Sequence, residues 1–258
     1  MPLFGASDAP PFSLLNPTGR APALIVCDHA SRDIPAALNN LGLPQAALER
    51  HIAWDIGAGD LARSLARSLD APVVLAGYSR LVIDCNRRRD DPTLILAESD
   101  GEVIPGNIGI DAAQRAERIH SCYAPYHLAV EQRLASFRMA GVVPAFISIH
   151  SFTPVLGGSV RPWHVGVLWD TDARMAAPML EALRAVPDLN VGDNLPYSGR
   201  HPSDYTVDYH AESAGLPHLC LEVRQDLLAD KEGVARWTEI IAPPIRRLLD
   251  TGKVHRLL

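Results

Sequence analysis

Three short apolar segments that end in polar side chains constrain the fold of this chain more than any other feature. The segments span residues 23–31, 145–151 and 218–224. Runs of this length, rich in Val, Ile and Leu, are typical of strands buried on both faces of a parallel sheet. In such sheets, ligands bind just beyond the carboxyl ends of the strands. We therefore expect His29, His150 and Glu222, which the three segments carry, to converge on one site.

Helical patterns separate the predicted strands. Leu61, Leu65 and Leu69 recur at a spacing of four residues, which predicts an amphipathic helix from about residue 56. Further helices are predicted from 31–35, over 45–51, over 111–139 with a start, kink or break at Pro125, over 173–185 and over 231–249 with an interruption at Pro243 and Pro244. Further strands are predicted at 72–78 and 164–169, and long loops at 91–110 and 191–209, the second of which could act as a lid.

The alternation of strands and helices predicts an α/β fold. We expect a three-layer architecture in which a mixed, mostly parallel sheet carries helices on both faces. A chain of 258 residues is long enough for one α/β domain of this kind. We expect residues 1–258 to form a single domain, with residues 1–20 as an extended lead-in.

Charge and composition exclude several classes of partner. The net charge of −6 gives no basic patch for nucleic acid, and no apolar stretch approaches the roughly 18 residues of a membrane span. Because no secretory signal is evident either, we expect a cytoplasmic protein. In that compartment we expect all four cysteines to be reduced and structural; they are Cys27, Cys85, Cys122 and Cys220. The sequence does not indicate an oligomeric state.

The two histidines at predicted strand ends suggest a metal site. A catalytic zinc ion takes three protein ligands of the His and carboxylate type and leaves a fourth position open. His29 and His150 fit two of these three positions. The alternative is that each is a hydrogen-bonded structural histidine.

Eight ordered sequence blocks are similar to those of the N-formylglutamate amidohydrolases. They begin with Cys-Asp-His-Ala-Ser and together cover residues 27–31, 51–58, 79–81, 84–87, 148–152, 161–164, 194–199 and 221–226. The resemblance extends over about residues 20 to 250. It implies release of formate from N-formyl-L-glutamate, a late step of histidine breakdown, by one catalytic zinc ion. It also implies a fold like that of the zinc carboxypeptidases, which are broader relatives together with zinc-dependent cell-wall amidases.

The second metal ligand is the point at which the sequence departs from the carboxypeptidase pattern. Those proteins place a Glu three residues after the first His, and here Arg32 stands at that position. In the amidase-like relatives an acidic ligand opens the next long helix, which corresponds to Asp55. We therefore expect His29, Asp55 and His150 to bind the metal, with Asp33 as the alternative second ligand. Either aspartate could instead be a helix cap.

Glu222 is the expected catalytic residue. A glutamate in an apolar strand is costly to bury unless it is paired or functional. Residues two apart on a strand share a face, so an ion pair between Glu222 and Arg224 is the structural alternative. If functional, Glu222 accepts a proton from the attacking water and later donates it to the leaving amine.

An acidic substrate requires cationic anchors, and the resemblance implies that Arg80, Asn86 and Arg87 provide them. Guanidinium groups bind carboxylates in a bidentate manner. Alternatively, residues 86–89 form a solvated loop edge; we expect Arg88 and Arg89 to be on the surface. Tyr197 is a further substrate-binding candidate, and His164, His201 and His210 are second-rank candidates.

These residues predict metal-assisted amide hydrolysis without a covalent enzyme intermediate. The substrate is expected to be a small N-acyl amino acid, most specifically N-formyl-L-glutamate. Two alternatives stay open: the same chemistry on another acyl amino acid or a small cell-wall peptide, and a binding protein that has the pocket but no catalysis. A serine hydrolase is not indicated, because no Gly-x-Ser-x-Gly motif accompanies Ser31 or Ser151.

Overall fold

A seven-stranded sheet lies at the centre of the protein. The structure, a computed structural model, describes residues 3–200 and 205–258. Within these ranges the strands are β1 (Phe12–Leu15), β2 (Ala23–Cys27), β3 (Val73–Ala76), β4 (Glu98–Ser99), β5 (Glu102–Val103), β6 (Ala145–Phe152), β7 (Val155–Leu156), β8 (Ser159–Val160), β9 (Val165–Leu168), β10 (Val191–Asp193) and β11 (His218–Arg224). The order across the main sheet is β1-β3-β2-β6-β11-β9-β10. The β1–β3 and β9–β11 pairs are antiparallel and the other neighbours are parallel, which confirms the predicted mixed, mostly parallel sheet.

Helices cover both faces of this sheet. They are α1 (Gln45–Leu48), α2 (Ala58–Leu69), α3 (Ala112–Arg118), α4 (Ala124–Met139), α5 (Ala176–Arg184) and α6 (Lys231–Asp250). The α2, α5 and α6 helices pack against one face, on which Ile25 and Cys27 lie. The α4 helix packs against the other face, on which Leu24 and Val26 lie. The three-layer α/β prediction is therefore confirmed, and β2 is buried throughout because both of its faces are covered.

Three prolines lie in the long helices, and the prediction is confirmed at Pro125 but not at Pro243 and Pro244. The α3 and α4 helices are joined by a π-helical segment, Ile119–Tyr123, so the predicted helix over 111–139 exists with a widened turn just before Pro125. A proline has no N–H for the preceding turn, and a wider turn accommodates that loss. The predicted interruption at Pro243 and Pro244 is wrong, because α6 continues through both residues. Burial of Ile241 and Ile245 on either side stabilises the helix there.

The helix predicted from residues 31–35 is wrong. These residues have no regular structure, and a 3-10 segment, Ala36–Gly42, follows them. Ile34 precedes Pro35, and a residue in that position is disfavoured in the helical conformation. The Ser31 hydroxyl instead accepts a hydrogen bond from the Asp33 backbone N–H at 3.1 Å.

Several short strands were not predicted, because the residues around them resemble loops. The lead-in contains β1, and the loop predicted over 191–209 begins with β10. The loop predicted over 91–110 contains the small β4–β5 hairpin. Proline and glycine around these short strands hide their pattern. Residues 201–204 of the predicted loop or lid lie outside the described residues.

The central strands bring the candidate catalytic side chains together. In the parallel β6–β11 pair, His150 lies directly opposite Glu222. On the other side of β11, Gly166 is the partner of Glu222. A side chain at Gly166 would approach the Leu195 carbonyl oxygen to 2.2 Å, so glycine allows the segment that precedes Tyr197 to pack beside Glu222.

The described residues contain no disulfide bond and no helix that could span a membrane. All four cysteines lie in that part of the chain and are buried, and no disulfide bond joins any two of them. Across residues 3–200 and 205–258, no helix has both the length and the apolar character needed to cross a bilayer.

Candidate metal centre and active-site cleft

His29, Asp55 and His150 converge at one buried point. His29 follows β2, Asp55 precedes α2 and His150 lies within β6. Their exposed fractions are only 3%, 4% and 4%. The His29 Nδ1 atom lies 3.3 Å from Asp55 Oδ2, and His150 Nδ1 lies 2.9 Å from the same oxygen. One ligand atom from each residue lies within 4.8 Å of the other two.

The backbone around Asp55 explains how it reaches the two histidines. Its N–H donates to the His29 carbonyl oxygen at 3.0 Å, which ties the start of α2 to the end of β2. Gly57 then adopts a φ of 78°, a left-handed conformation that favours glycine. A side chain there would lie 2.4 Å from Leu228 Cβ. This tight turn starts α2, and the Asp55 carboxylate lies beside His29 and His150.

The geometry of the three side chains fits a cation with tetrahedral coordination. Ligand bonds of about 2.1 Å at tetrahedral angles place neighbouring ligand atoms about 3.4 Å apart. The separations of 3.3 Å and 2.9 Å from Asp55 Oδ2 are close to that value. Moreover, His29 Nδ1 is buried and has no hydrogen-bond partner among the described residues. A divalent cation with borderline preference for nitrogen and oxygen, such as Zn²⁺, suits this donor set.

Two further carboxylates face the Nε2 atoms of the two histidine rings. The Nε2 atom of His29 lies 2.8 Å from Asp84 Oδ1, and that of His150 lies 3.3 Å from Asp28 Oδ2. An ionised carboxylate only accepts hydrogen bonds, so each Nε2 would carry the ring proton when Nδ1 binds a cation. The neutral rings would therefore direct the lone pair of Nδ1 toward the shared point. Metal-bound histidines commonly have such a carboxylate partner.

The electrostatics of this cluster also favour a cation. Burial alone would raise the pKa of Asp28, but the hydrogen bond and charge of His150 lower it to about 2. Burial is likewise outweighed at Asp84 and Asp55, whose pKa values are lowered by Arg80 and His29 and by His29 and His150, respectively. In return, the carboxylates raise the pKa of both histidines despite their burial. The site thus holds positive charge between buried carboxylates, as a bound cation would require.

A cleft of about 520 Å³ opens over the metal-ligand cluster. Its walls include all eight residues predicted for the site, which are His29, Asp55, Arg80, Asn86, Arg87, His150, Tyr197 and Glu222. Clefts of this size are typical of small-molecule sites. Glu222 is 7% exposed and lies next to His150 across the strand pair.

The structural alternative for Glu222 does not match the contacts of Arg224. The Arg224 guanidinium binds Asp226 through two hydrogen bonds, of 2.8 Å and 3.1 Å. Arg224 is therefore engaged with a carboxylate on the following turn rather than with Glu222.

The cationic side chains of the cleft differ in their surroundings. Arg80 donates to Asp84 Oδ2 from Nη2 at 2.7 Å and from Nε at 3.1 Å, and its Nη1 lies 3.6 Å from Asp55 Oδ1. Arg87 is half-buried and donates to the Asn86 carbonyl oxygen at 2.8 Å. Asn86 is buried and accepts from the N–H groups of Tyr205 and Thr206 through Oδ1, at 3.0 Å each. Arg80 is thus held by carboxylates around the metal-ligand cluster.

Comparison with known proteins identifies the family. The family model for N-formylglutamate amidohydrolase matches residues 21–229. The chain belongs to this family. The match covers β2, β6 and β11 together with Asp55, so it includes every residue of the candidate metal cluster.

The chain is also similar to individual proteins of known sequence or structure. The chain is 24% identical to an N-formylglutamate deformylase of Pseudomonas putida over 246 residues, which covers 90% of each sequence. A solved gene product of Agrobacterium tumefaciens is 33% identical, with a TM-score of 0.93 over 97% of this chain and 99% of that one. The N-formylglutamate amidohydrolase of Ralstonia eutropha JMP134 has the same fold at 18% identity, with a TM-score of 0.72 over 95% of this chain and 99% of that one.

The other described residues that the sequence singled out as site candidates do not line this cleft. Asp33 is exposed and lines a separate surface depression, so it does not join the metal cluster. His164 accepts a hydrogen bond from the Asn190 backbone N–H, and His210 is buried against His127. His201 lies outside the described residues. Arg88 and Arg89 are exposed, as expected.

Sequence reasoning missed the roles of Asp28 and Asp84. Both residues stand in the blocks that resemble the family, yet neither was singled out. Asp28 precedes His29 in sequence but faces His150, and Asp84 follows Arg80 by four residues but faces His29. The available signal in the sequence was an aspartate inside the block that carries His29 and another inside the block that carries Asn86 and Arg87. The pairing itself depends on the fold.

Proposed function

We propose that this amidohydrolase is a zinc-dependent enzyme that hydrolyses N-formyl-L-glutamate to formate and L-glutamate. The observation that supports it most is the convergence of His29, Asp55 and His150 at the base of a cleft that Glu222 and two arginines also line. Family membership supports the N-formylglutamate substrate. Metal dependence is inferred from the ligand geometry.

In this proposal His29 Nδ1, Asp55 and His150 Nδ1 hold the cation. A bound divalent cation supplies Lewis-acid polarisation of the amide carbonyl and acidifies water in the site. Asp84 hydrogen-bonds to His29 Nε2, and Asp28 faces His150 Nε2 at 3.3 Å. Burial of the whole cluster limits access of bulk water and strengthens each electrostatic interaction.

Glu222 acts as the general base and then as the general acid. Its carboxylate accepts a proton from the water that adds to the formyl carbon, and the C–N bond then breaks as Glu222 returns the proton to the leaving nitrogen. The products are formate and the free amino acid, so no oxidant and no co-substrate other than water is needed. The position of Glu222 beside His150 supports this role, because it keeps the carboxylate close to the metal-binding side chains.

Arg87, with Asn86, binds the substrate carboxylates in this proposal, and Arg80 contributes positive charge next to the reacting carbonyl. The two arginines line the same cleft, where both are partly buried and can make charge-assisted hydrogen bonds to a carboxylate. Tyr197 lies at the rim, where its hydroxyl accepts a hydrogen bond from Arg161 at 2.9 Å. Its exposed fraction of 41% leaves much of the side chain accessible to a substrate.

Several broader predictions remain part of the proposal. The reaction would fall late in histidine breakdown, and the enzyme would act in the cytoplasm as a single domain of residues 1–258. No partner other than a small acidic N-acyl amino acid is needed for this chemistry.

A comparison of isosteric substrates tests the proposed specificity. Formate release is measured for N-formyl-L-glutamate and for N-formyl-L-glutamine, which has the same shape but no side-chain charge. If an arginine binds the side-chain carboxylate, the glutamine compound should have a kcat/KM lower by about 10- to 100-fold, as expected for loss of a charged hydrogen bond. Equal rates would contradict an acid-specific site.

The two alternative functions give different results in the same assay. Hydrolysis of another N-acyl amino acid or of a small cell-wall peptide, without formate release, would support a different substrate for the same chemistry. Binding of N-formyl-L-glutamate without turnover, in zinc-loaded protein, would support a binding protein.

A further inference from the structure

Asp84 contacts two side chains of the cleft and the backbone of the turn that follows it. One carboxylate oxygen, Oδ1, lies 2.8 Å from His29 Nε2 and accepts from the Asn86 N–H at 2.8 Å. The other oxygen, Oδ2, accepts from Arg80 Nη2 at 2.7 Å and from Arg80 Nε at 3.1 Å. Asp84 is 3% exposed, so these protein contacts replace its hydration.

We propose that Asp84 is a positioning residue that couples the metal ligand His29 to the cleft residue Arg80 through its two carboxylate oxygens. This inference rests on the proposed function and deepens it. Through Oδ1, Asp84 fixes the ring of His29 with Nδ1 directed toward the cation site. Through Oδ2, it fixes the guanidinium plane of Arg80. One carboxylate thus sets the distance between the metal and the positive charge beside the reacting carbonyl.

The backbone around Asp84 makes this coupling rigid. The Asp84 N–H donates to the Leu94 carbonyl oxygen at 2.9 Å, and its own carbonyl oxygen accepts from the Arg87 N–H at 3.2 Å. The Asn86 N–H bonds to Oδ1, so the turn that carries Asn86 and Arg87 is organised by the same side chain. A shift of Asp84 would therefore move the substrate-binding turn as well as His29.

Asp28 provides a matched comparison within the same cluster. It faces the other histidine ligand, His150, and its remaining oxygen accepts from Tyr126 and Thr206 at 2.7 Å and 2.8 Å. Among the described residues, Arg80 donates to Asp84 and not to Asp28. Both aspartates hold a ligand histidine, and only Asp84 joins that ligand to the arginine.

Replacing Asp84 by asparagine breaks the coupling for a simple chemical reason. A carboxylate accepts on both oxygens, whereas an amide accepts on one side and donates on the other. If the introduced NH₂ group faces His29, the ring must move its proton to Nδ1, the metal-ligand atom. If the NH₂ group faces Arg80, two donors oppose each other. Either orientation disturbs one of the two functions of Asp84.

The test compares Asp84→Asn with Asp28→Asn by three measurements. Zinc affinity, from competition with a chromophoric chelator, should fall about 10- to 100-fold in both variants, because each loses a partner of a ligand histidine. At saturating zinc, the KM for N-formyl-L-glutamate should rise about tenfold in Asp84→Asn and clearly less in Asp28→Asn, because only Asp84 has charge-assisted contacts with Arg80. Slow hydrogen exchange at Arg80 Nε–H, observed by NMR, should be lost in Asp84→Asn alone.

Each result decides for or against the coupling. An unchanged KM and an unchanged Arg80 exchange rate in Asp84→Asn would overturn it, as would equal effects in the two variants. If the wild type releases no formate, the proposed function fails, but zinc affinity and Arg80 exchange still decide the inference. If circular dichroism shows that Asp84→Asn is unfolded, Arg80→Lys takes its place. Lysine keeps the charge near Asp55 but lacks the two-pronged contact with Asp84, so weaker zinc binding is expected and unchanged zinc binding overturns the inference.

Discussion

Replacing His210 by glutamine should make the stability of the fold less sensitive to acid. His210 is 4% exposed and its Nε2 lies 2.9 Å from His127 Nδ1. The Nε2 of His127 faces the Cys85 carbonyl oxygen, which only accepts, so His127 Nδ1 is the acceptor for an N–H of His210. The side-chain amide of the introduced glutamine can donate in the same way and does not titrate.

The magnitude follows from the pKa of His210. Burial, followed by the charge of His127, lowers that pKa from 6.5 to about 3. As pH falls, the unfolded chain therefore binds this proton first, so the stability provided by the neutral ring is complete above pH 6.5 and is lost toward the folded value. Between about pH 7 and about pH 5, this linkage removes about 2 kcal/mol of folding stability in the wild type. The variant lacks that loss.

Urea unfolding of both proteins at the two pH values measures the effect. The difference between the proteins removes the contributions of other groups, including His29 and His150, whose raised pKa values act in the opposite direction. We expect the wild type to lose about 2 kcal/mol more than the variant on acidification. Parallel pH dependences would refute the view that His210 is held neutral by burial.

Further variants test the individual roles in the cleft. Glu222→Gln should lower kcat by about 10²- to 10⁴-fold without loss of bound zinc, because it removes the proton acceptor, and an unchanged rate would exclude Glu222 from the mechanism. Asp55→Ala should lose zinc on dialysis while Asp33→Ala, the matched control, retains it; full metal content in the first variant would place the ligand elsewhere. Arg87→Met should raise the KM for N-formyl-L-glutamate about 10- to 100-fold, whereas the exposed control Arg88→Met should not, and equal effects would argue against a substrate contact at Arg87.

The core of the fold was predictable because its strands are buried on both faces. The apolar runs of β2, β6 and β11 have few other possible structures, and their order with the intervening helices predicts a mostly parallel sheet. Edge strands were less accessible to this reasoning. The β1 and β10 strands are short, and only one neighbouring strand pairs with each among the described residues, so their sequences carry a weaker signal.

The candidate metal ligands were predictable for two different reasons. His29 and His150 stand at or near the ends of apolar strands, where parallel sheets gather their ligands. Asp55 lies in no such position and was reached through family resemblance. The Asp55 carboxylate reaches both histidines because a backbone hydrogen bond from the Asp55 N–H to the His29 carbonyl oxygen ties the start of α2 to the end of β2.

The partners of the ligands could not be read from sequence neighbours. Asp28 and His29 are adjacent, yet Asp28 contacts His150, which lies far along the chain on another strand. Which carboxylate faces which ring depends on the relative placement of β2, β6 and the turn at Asp84. Those relations come from tertiary packing, which local patterns do not encode.

Formate release from N-formyl-L-glutamate, measured before chelation, after chelation and after zinc return, tests the central proposal most directly. The proposal predicts formate in equal amount to L-glutamate, loss of activity on removal of the metal, and recovery when zinc is restored. Activity that is unaffected by complete metal removal would contradict the metal centre. Absence of formate in fully zinc-loaded, folded protein would contradict the proposed substrate.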